Sequence, residues 1–191
     1  MEKYGWSVAM FGSVDWESHH NVINQYPKFQ RATIIKYLHG WLATKKRRWR
    51  EGTFTDSSCP LCGEVEDRYH MFQCSCPQLC QIREERIATL FREIGEITNE
   101  GCKQVFQAGL ASIFGDSHPP ESTWTEWPRQ LQDVYHEQKE IGWVHVMYSR
   151  LHRKWAICAE ALDRDGTYGG SQWTRKVIRK CWTFGMDMWK V

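Results

Sequence analysis

Three cysteines and one histidine between Cys59 and Cys74 have the chemistry and the spacing of ligands to a single tetrahedral metal ion. Two residues separate Cys59 from Cys62, so a tight turn can present both sulfurs to one point, and Gly63 can take the positive φ that such a turn usually needs. His70 and Cys74 are four residues apart, so on a helix they project from one face. Four soft ligands leave no open coordination position. The spacing therefore predicts a structural zinc ion, which stabilises the fold and performs no reaction.

The fourth ligand has two alternatives in the sequence, Cys76 and Cys80. Cys76 lies six residues past His70, which is the wrong face if the helix continues, and Pro77 interrupts the helix there. Spacing therefore favours Cys74, with the other two cysteines left as alternatives.

A basic segment precedes the cysteines. Residues 18–50 contain eight Lys or Arg and no Asp or Glu, whereas residues 64–140 contain seven basic and fourteen acidic residues. Cationic side chains neutralise phosphates, and an exposed Trp or Arg plane can stack on an unpaired base. The pattern therefore predicts that the basic segment binds RNA or DNA. The residues predicted to bind are seven cations and one tryptophan of this segment, namely Arg31, Lys36, Lys45, Lys46, Arg47, Arg48, Trp49 and Arg50.

Two alternatives to this interpretation remain open. The cationic residues can form a solvated face over buried Trp41 and Trp49. The whole chain can instead be a protein-interaction or scaffold domain, in which zinc and tryptophan stabilise the fold and the basic helix meets an acidic protein surface. Residues 64–140 of a second copy would be one such surface.

The run from Lys36 to Gly52, followed by Cys-Pro-Leu-Cys-Gly, an acidic pair and His-x3-Cys, resembles the reverse-transcriptase zinc-binding domain at the carboxyl end of non-LTR retrotransposon polyproteins. The resemblance covers about residues 28–80. The family pattern is a helix, a short Leu-x-Thr break, a second basic helix and then a Cys-Cys-His-Cys finger, and all of these parts occur here in order. The resemblance implies a non-catalytic module that holds template or target nucleic acid, with the upstream part of a retroelement polyprotein as a partner.

Apolar residues recur at helical spacing along most of the chain, and almost nothing alternates as a strand. The predicted fold class is all-α, a multi-helix domain with the zinc finger inserted. Helices are predicted to begin at Pro27, Thr44, Pro77, Asn99 or Thr98, Pro128 and Ser171. Asp67 is predicted to cap the short helix that carries the last two zinc ligands.

The repeat of Trp143, Met147, Leu151 and Trp155 predicts one further helix with all four side chains in the core. Residues 1–25 show no sustained period and are predicted to be irregular. A cluster of Gly, Pro and Ser predicts a linker at 115–124. It would separate a first domain, 1–114 with the finger at 55–80, from a C-terminal helical segment, 125–191.

Composition and motifs limit the function further. The content is 41% hydrophobic and 14% aromatic, as in globular proteins, and no run of about 18 apolar residues predicts a membrane span. Cysteines that match a metal site, or are scattered singly, predict an intracellular protein, and the Lys-Lys-Arg-Arg run at 45–48 indicates a nuclear one. The sequence contains no Tyr-x-Asp-Asp, P-loop, Gly-x-Ser-x-Gly or His-Glu-x-x-His motif. We therefore predict no catalytic residues and no enzyme activity.

Overall fold

The computed structural model describes residues 4–114, 126–163, 166 and 169–191. These residues form ten α-helices and one 3-10 helix, and their only β pairing is two isolated bridges, which confirms the predicted all-α class. The first helices are α1 (Val8–Ser13), α2 (Trp16–Asn24), α3 (Lys28–Leu38), α4 (Lys45–Arg50) and α5 (His70–Gln73). Next come α6 (Pro77–Gly95), α7 (Glu100–Ala111) and α8 (Arg129–Ile141). The 3-10 helix (Trp143–Tyr148), α9 (Lys154–Leu162) and α10 (Gly170–Trp189) follow.

The C-terminal helix α10 organises the core. It packs against α2, α3, α5, α6, α9 and the 3-10 helix. Its Trp173 stacks on Trp155 with ring centroids 5.8 Å apart, and Phe106 of α7 meets both rings edge-on. Each large side chain buried in this way stabilises the fold by about 1.5–3 kcal/mol. Buried residues on both sides of the predicted linker belong to this one cluster, and the linker itself, 115–124, lies outside the described residues.

Helix caps follow the sequence closely in the middle of the chain. Thr44 Oγ1 accepts from the Arg47 amide at 3.3 Å, and Asn99 Oδ1 accepts from the Cys102 amide at 2.9 Å. Helix α6 begins at Pro77, as predicted, and ends at Gly95. At the last helix, by contrast, Gly169 is the N-cap, and Ser171 lies inside α10 without making a cap bond.

The prediction that residues 1–25 are irregular is wrong. The Ser7 hydroxyl accepts from the Met10 amide at 3.1 Å and caps α1, and Asp15 Oδ1 accepts from the Ser18 amide at 2.9 Å and caps α2. Helix α1 has no buried residue, so it leaves no apolar period in the sequence.

The single helix predicted through Trp143 and Trp155 is also wrong, although all four of its core residues are buried. A 3-10 helix covers its first part and ends at Tyr148, Ser149 follows it with a φ of 60°, and α9 begins only at Lys154. Between them the guanidinium of Arg150 is buried, where it donates to the Leu38 carbonyl at 3.1 Å.

Arg150 is a buried cation without a carboxylate within 4.0 Å among the described residues. It donates to Tyr4 Oη at 2.8 Å and to His145 Nδ1 at 2.9 Å. Burial, with the charge of Arg150 beside it, lowers the pKa of His145 to about 3, so this histidine is neutral and accepts the bond. Arg150 thereby ties the N-terminal segment to the core. No helix in the described part of the chain is both long and apolar enough to cross a membrane.

Candidate metal centre and cationic grooves

The predicted zinc ligands meet at one point. The ligand atoms of Cys59, Cys62, His70 and Cys74 all lie within 4.8 Å of one another, and Cys62 Sγ is 3.3 Å from His70 Nε2. Zn–S bonds of about 2.3 Å and Zn–N bonds of about 2.0 Å place neighbouring ligands of a tetrahedral ion roughly 3.6–3.8 Å apart. The distances between ligand atoms in the cluster, 3.3 Å from Cys62 Sγ to His70 Nε2 and at most 4.8 Å for any pair, lie on both sides of this value. These residues therefore fit a metal ion.

A tight turn positions the first two cysteines. The Cys59 amide donates to the Glu64 carbonyl at 2.6 Å, and the Gly63 amide donates to the Cys59 carbonyl at 2.9 Å. The turn closes because Gly63 has a φ of 80°, a region that residues with a Cβ seldom occupy. The Leu61 amide also donates to Cys59 Sγ at 3.4 Å.

The other two ligands lie at the ends of one helical turn. The Cys74 amide donates to the His70 carbonyl at 2.7 Å, which fixes the two side chains on one side of α5. The predicted cap is wrong in detail: Asp67 accepts from the Tyr69 amide at 2.8 Å in the turn before the helix, and Tyr69 is the N-cap. Burial raises the pKa of the Cys74 thiol to about 12, so this thiol becomes a thiolate only beside a cation.

The alternative fourth ligands are engaged elsewhere. Cys76 donates its thiol hydrogen to Gln78 Oε1 at 2.9 Å, and Cys80 donates to the Cys74 carbonyl at 3.4 Å. The structure therefore brings Cys74, and neither Cys76 nor Cys80, into the cluster.

Arg83 lies directly behind the metal cluster and was not predicted from the sequence. It is only 8% exposed, and its guanidinium donates to the Cys74 carbonyl at 2.9 Å and to Cys80 Sγ at 3.2 Å. Among the residues described, no carboxylate lies within 4.0 Å of it. Three thiolates around a divalent ion carry one net negative charge, so a buried cation here stabilises the occupied centre.

We expect Arg83→Met to weaken metal binding by about 10–100-fold, the usual cost of removing a group that orients and charges the ligands. Methionine fills a similar volume, so the packing loss is small. Competition with a chelating dye measures the affinity. The control is Arg92→Met, which removes an exposed arginine from the same helix. Equal affinity in the two variants would show that Arg83 has no electrostatic role at the centre.

The metal-binding segment is bonded to the start of α4. Glu66 Oε1 accepts from the Lys45 amide at 3.1 Å, and the Glu66 carbonyl accepts from the Lys46 amide at 3.1 Å. These two amides are among the first of the helix, which have no partner within it. The finger therefore fixes the position and direction of the basic helix.

The cations of α4 differ in how free they are. Lys46 pairs with Asp67 at 3.8 Å, and Arg47 pairs with Glu51 at 2.7 Å. Lys45 and Arg48 lie over the Phe54 ring, with their charged groups 4.7 and 5.2 Å from its centroid. Arg50 is exposed and, within the described residues, has no carboxylate within 4.0 Å.

Two predicted residues on α3 have different positions. Arg31 donates to the Tyr26 carbonyl at 2.6 Å and to the Asn24 carbonyl at 2.7 Å, so its guanidinium closes the C-terminal end of α2. Lys36 is exposed, beside α4. The structure therefore places Lys36, and not Arg31, with the cations of the basic helix.

Both tryptophans of the basic segment are exposed, Trp41 by 54% and Trp49 by 50%, so the interpretation that buries them is wrong. Two grooves meet at Trp41. The larger, of about 690 Å³, is lined by Gly40, Trp41, Thr44, Lys46, Arg47, Arg50, Glu51, Asp67, Arg68 and Tyr69. The smaller, of about 440 Å³, is lined by Lys36, Trp41, Ala43, Arg47, Arg48, Glu51, Thr53 and Phe54.

Arg68 is the groove residue that the sequence analysis missed. Its guanidinium lies 4.4 Å from the centroid of the Tyr69 ring and 5.0 Å from that of Tyr4. Its position beside the acidic pair and the zinc ligands gave no indication that it would meet the basic segment.

No protein-family model, no curated protein and no solved structure matches this chain.

Proposed function

We propose that this chain is a zinc-stabilised, non-catalytic module that binds nucleic acid. Three thiolates and one imidazole are the ligands that structural zinc prefers. Four protein ligands leave no coordination position for a substrate, which supports a structural ion.

The single observation that carries nucleic-acid binding is the surface around α4. Five of its six residues are Lys or Arg, and four of these, Lys46, Arg47, Arg48 and Arg50, line two open grooves. The carboxylates that the described residues contribute to these grooves are Glu51 and Asp67. Each of those carboxylates is already paired with a cation of α4. Lys36, Arg50 and Arg68 then remain on the groove walls without a carboxylate partner among the described residues, and phosphates are the ligands that such walls attract.

The finger supports this function by holding the surface in place. Glu66 bonds to the first amides of α4, and Asp67, Arg68 and Tyr69 form one wall of the larger groove. In the proposed role, zinc acts on binding through the shape of the groove and has no contact with the ligand.

The relation to the carboxyl-terminal part of a non-LTR retroelement reverse transcriptase is part of the proposal. It is supported by the order of helix, basic helix and finger in residues 28–80. The upstream part of such a polyprotein is the proposed protein partner, and the Lys-Lys-Arg-Arg run at 45–48 supports a nuclear location.

Binding to single-stranded RNA, single-stranded DNA and duplex across a series of salt concentrations tests the proposal. About four phosphate contacts give a slope of log affinity against log salt of about −3, so affinity should fall roughly 60-fold between 50 and 200 mM salt. A slope shallower than about −1, or no binding at low salt, would contradict the proposal. The protein-interaction alternative would then take its place.

A further inference from the structure

Trp41 is built as an open aromatic surface. One side of its ring stacks on His39, with centroids 5.0 Å apart and planes at 29°. Among the described residues, His39 is the only aromatic side chain in contact with it, and 54% of Trp41 is exposed. An indole of this size is usually buried when it serves only the fold, so half-exposure next to a charged groove needs another explanation.

The backbone of Trp41 is held rigidly. Its amide donates to the Lys36 carbonyl at 2.6 Å, and its carbonyl accepts from the guanidinium of Arg47. Gly40, with a φ of 66°, makes the turn before it, and a Cβ at Gly40 would lie 2.7 Å from Arg68 Cδ. A ring fixed in this way is already in its binding position, so little conformational entropy is lost when a ligand stacks on it.

Each groove is lined by cations that have no carboxylate partner among the described residues. Arg50 and Arg68 line the larger groove, and Lys36 and Arg48 line the smaller one. Trp41 lines both grooves, together with Arg47 and Glu51. A strand that crosses Trp41 can therefore place a base on the ring and a phosphate in the groove on either side.

We infer that Trp41 stacks on an unpaired base, and that the ligand of these grooves is single-stranded nucleic acid. This inference rests on the proposed nucleic-acid binding. In a duplex both faces of each base are already stacked, so only an unpaired base offers a face to Trp41. The groove volumes, about 440 and 690 Å³, are in the range of sites for small molecules, which suits single nucleotides.

Trp49 is the rival residue, because the sequence predicted it for base stacking and it is 50% exposed. It lines neither groove. Stacking on Trp49 would leave the base without a neighbouring groove for its phosphate, so the geometry favours Trp41.

The test compares Trp41→Ala, Trp41→Phe and Trp49→Ala in the full chain with zinc present. Phe29→Ala is the control, since Phe29 is 75% exposed and lines neither groove. Three probes are compared at one salt concentration. They are a mixed-sequence single-stranded oligonucleotide, a single strand of the same length that carries abasic sites, and the corresponding duplex. Trp41→Ala should lower single-strand affinity by about 5–150-fold, the range for one stacked base, and change duplex affinity by less than about twofold. Trp41→Phe should restore most of the loss, and Phe29→Ala should change nothing.

The abasic probe is independent of any variant. Wild-type protein should bind it about as weakly as Trp41→Ala binds the normal strand. Equal wild-type affinity for the abasic and normal strands overturns base stacking, even if a variant fails to fold. If only Trp49→Ala loses single-strand affinity, the choice of Trp41 is overturned. If the protein binds a poly-glutamate peptide more tightly than any oligonucleotide, nucleic acid is overturned as the ligand. Absence of all oligonucleotide binding by the wild type refutes the proposed function itself, whereas duplex binding equal to single-strand binding refutes only this inference.

Discussion

Cys62→Ala is expected to abolish zinc binding and to unfold the metal-binding segment. Structural zinc in small fingers contributes an apparent binding free energy of about 10–16 kcal/mol at neutral pH. The whole stability of a domain is only about 5–15 kcal/mol, so loss of the ion is comparable with the total. Within residues 55–80, α5 is only one turn long, and Cys59, Cys74 and Cys76 form a small cluster separate from the main core, with Cys62 and Leu79 packed against it.

The damage should extend beyond the finger. Phe72 of α5 is fully buried, lies parallel to Phe184 of α10 at 6.0 Å and contacts Tyr148 edge-on at 6.3 Å. If the metal-binding segment unfolds, Phe72 leaves the core, and loss of a buried phenylalanine costs about 3–5 kcal/mol. The Tyr148 hydroxyl also loses its bond to the Arg68 carbonyl, 2.9 Å long in the folded chain.

Metal analysis and thermal unfolding, with and without chelator, measure both effects. Wild-type protein should carry one zinc per chain, and chelator should lower its melting temperature. Cys158→Ala is the control, because Cys158 is a free cysteine buried in the main core, away from the metal cluster. Cys76→Ala and Cys80→Ala should keep the metal as well. Full zinc content in the Cys62→Ala protein would rule out the assigned centre.

Local signals account for what could be predicted of this fold. Thr44, Asn99 and Pro77 determine helix starts through their own backbone and side-chain chemistry, which distant residues do not alter. The metal cluster was predictable for the same reason, since its four ligands lie within sixteen residues and are positioned by one turn and one helical step.

Interactions between distant residues account for what the sequence analysis missed. Nothing near Arg150 indicates that its charge is satisfied by Leu38 and Tyr4, which are more than one hundred positions away in the sequence. The same holds at the candidate site. Arg31 was grouped with the binding cations by charge alone, but hydrogen bonds at the end of α2 occupy its guanidinium. Arg68 reaches the groove because Gly40 has no Cβ, which would lie 2.7 Å from Arg68 Cδ.

Reversing three charges on the grooves should remove most nucleic-acid binding. We choose Lys36→Glu, Arg48→Glu and Arg50→Glu, because these side chains are exposed and none is in an ion pair with a described residue. Lys46 and Arg47 are left unchanged, since Lys46 pairs with the finger and Arg47 holds the Trp41 carbonyl. Each lost contact between a cation and a phosphate costs on the order of 1 kcal/mol, so affinity at about 50 mM salt should fall by about two orders of magnitude.

The salt dependence should change together with the affinity. Each phosphate contact removed lowers the magnitude of the slope of log affinity against log salt by about 0.7–0.9, so the one contact left of about four gives the triple variant a slope of about −0.7 to −0.9. Zinc content and melting temperature should stay near the wild-type values, because none of the three side chains contacts the metal centre or the core. The control reverses Arg129, Arg153 and Arg179, exposed arginines that line neither groove, and changes the net charge by the same amount. If the control loses as much affinity as the groove variant, binding follows total charge and the grooves are not the binding site.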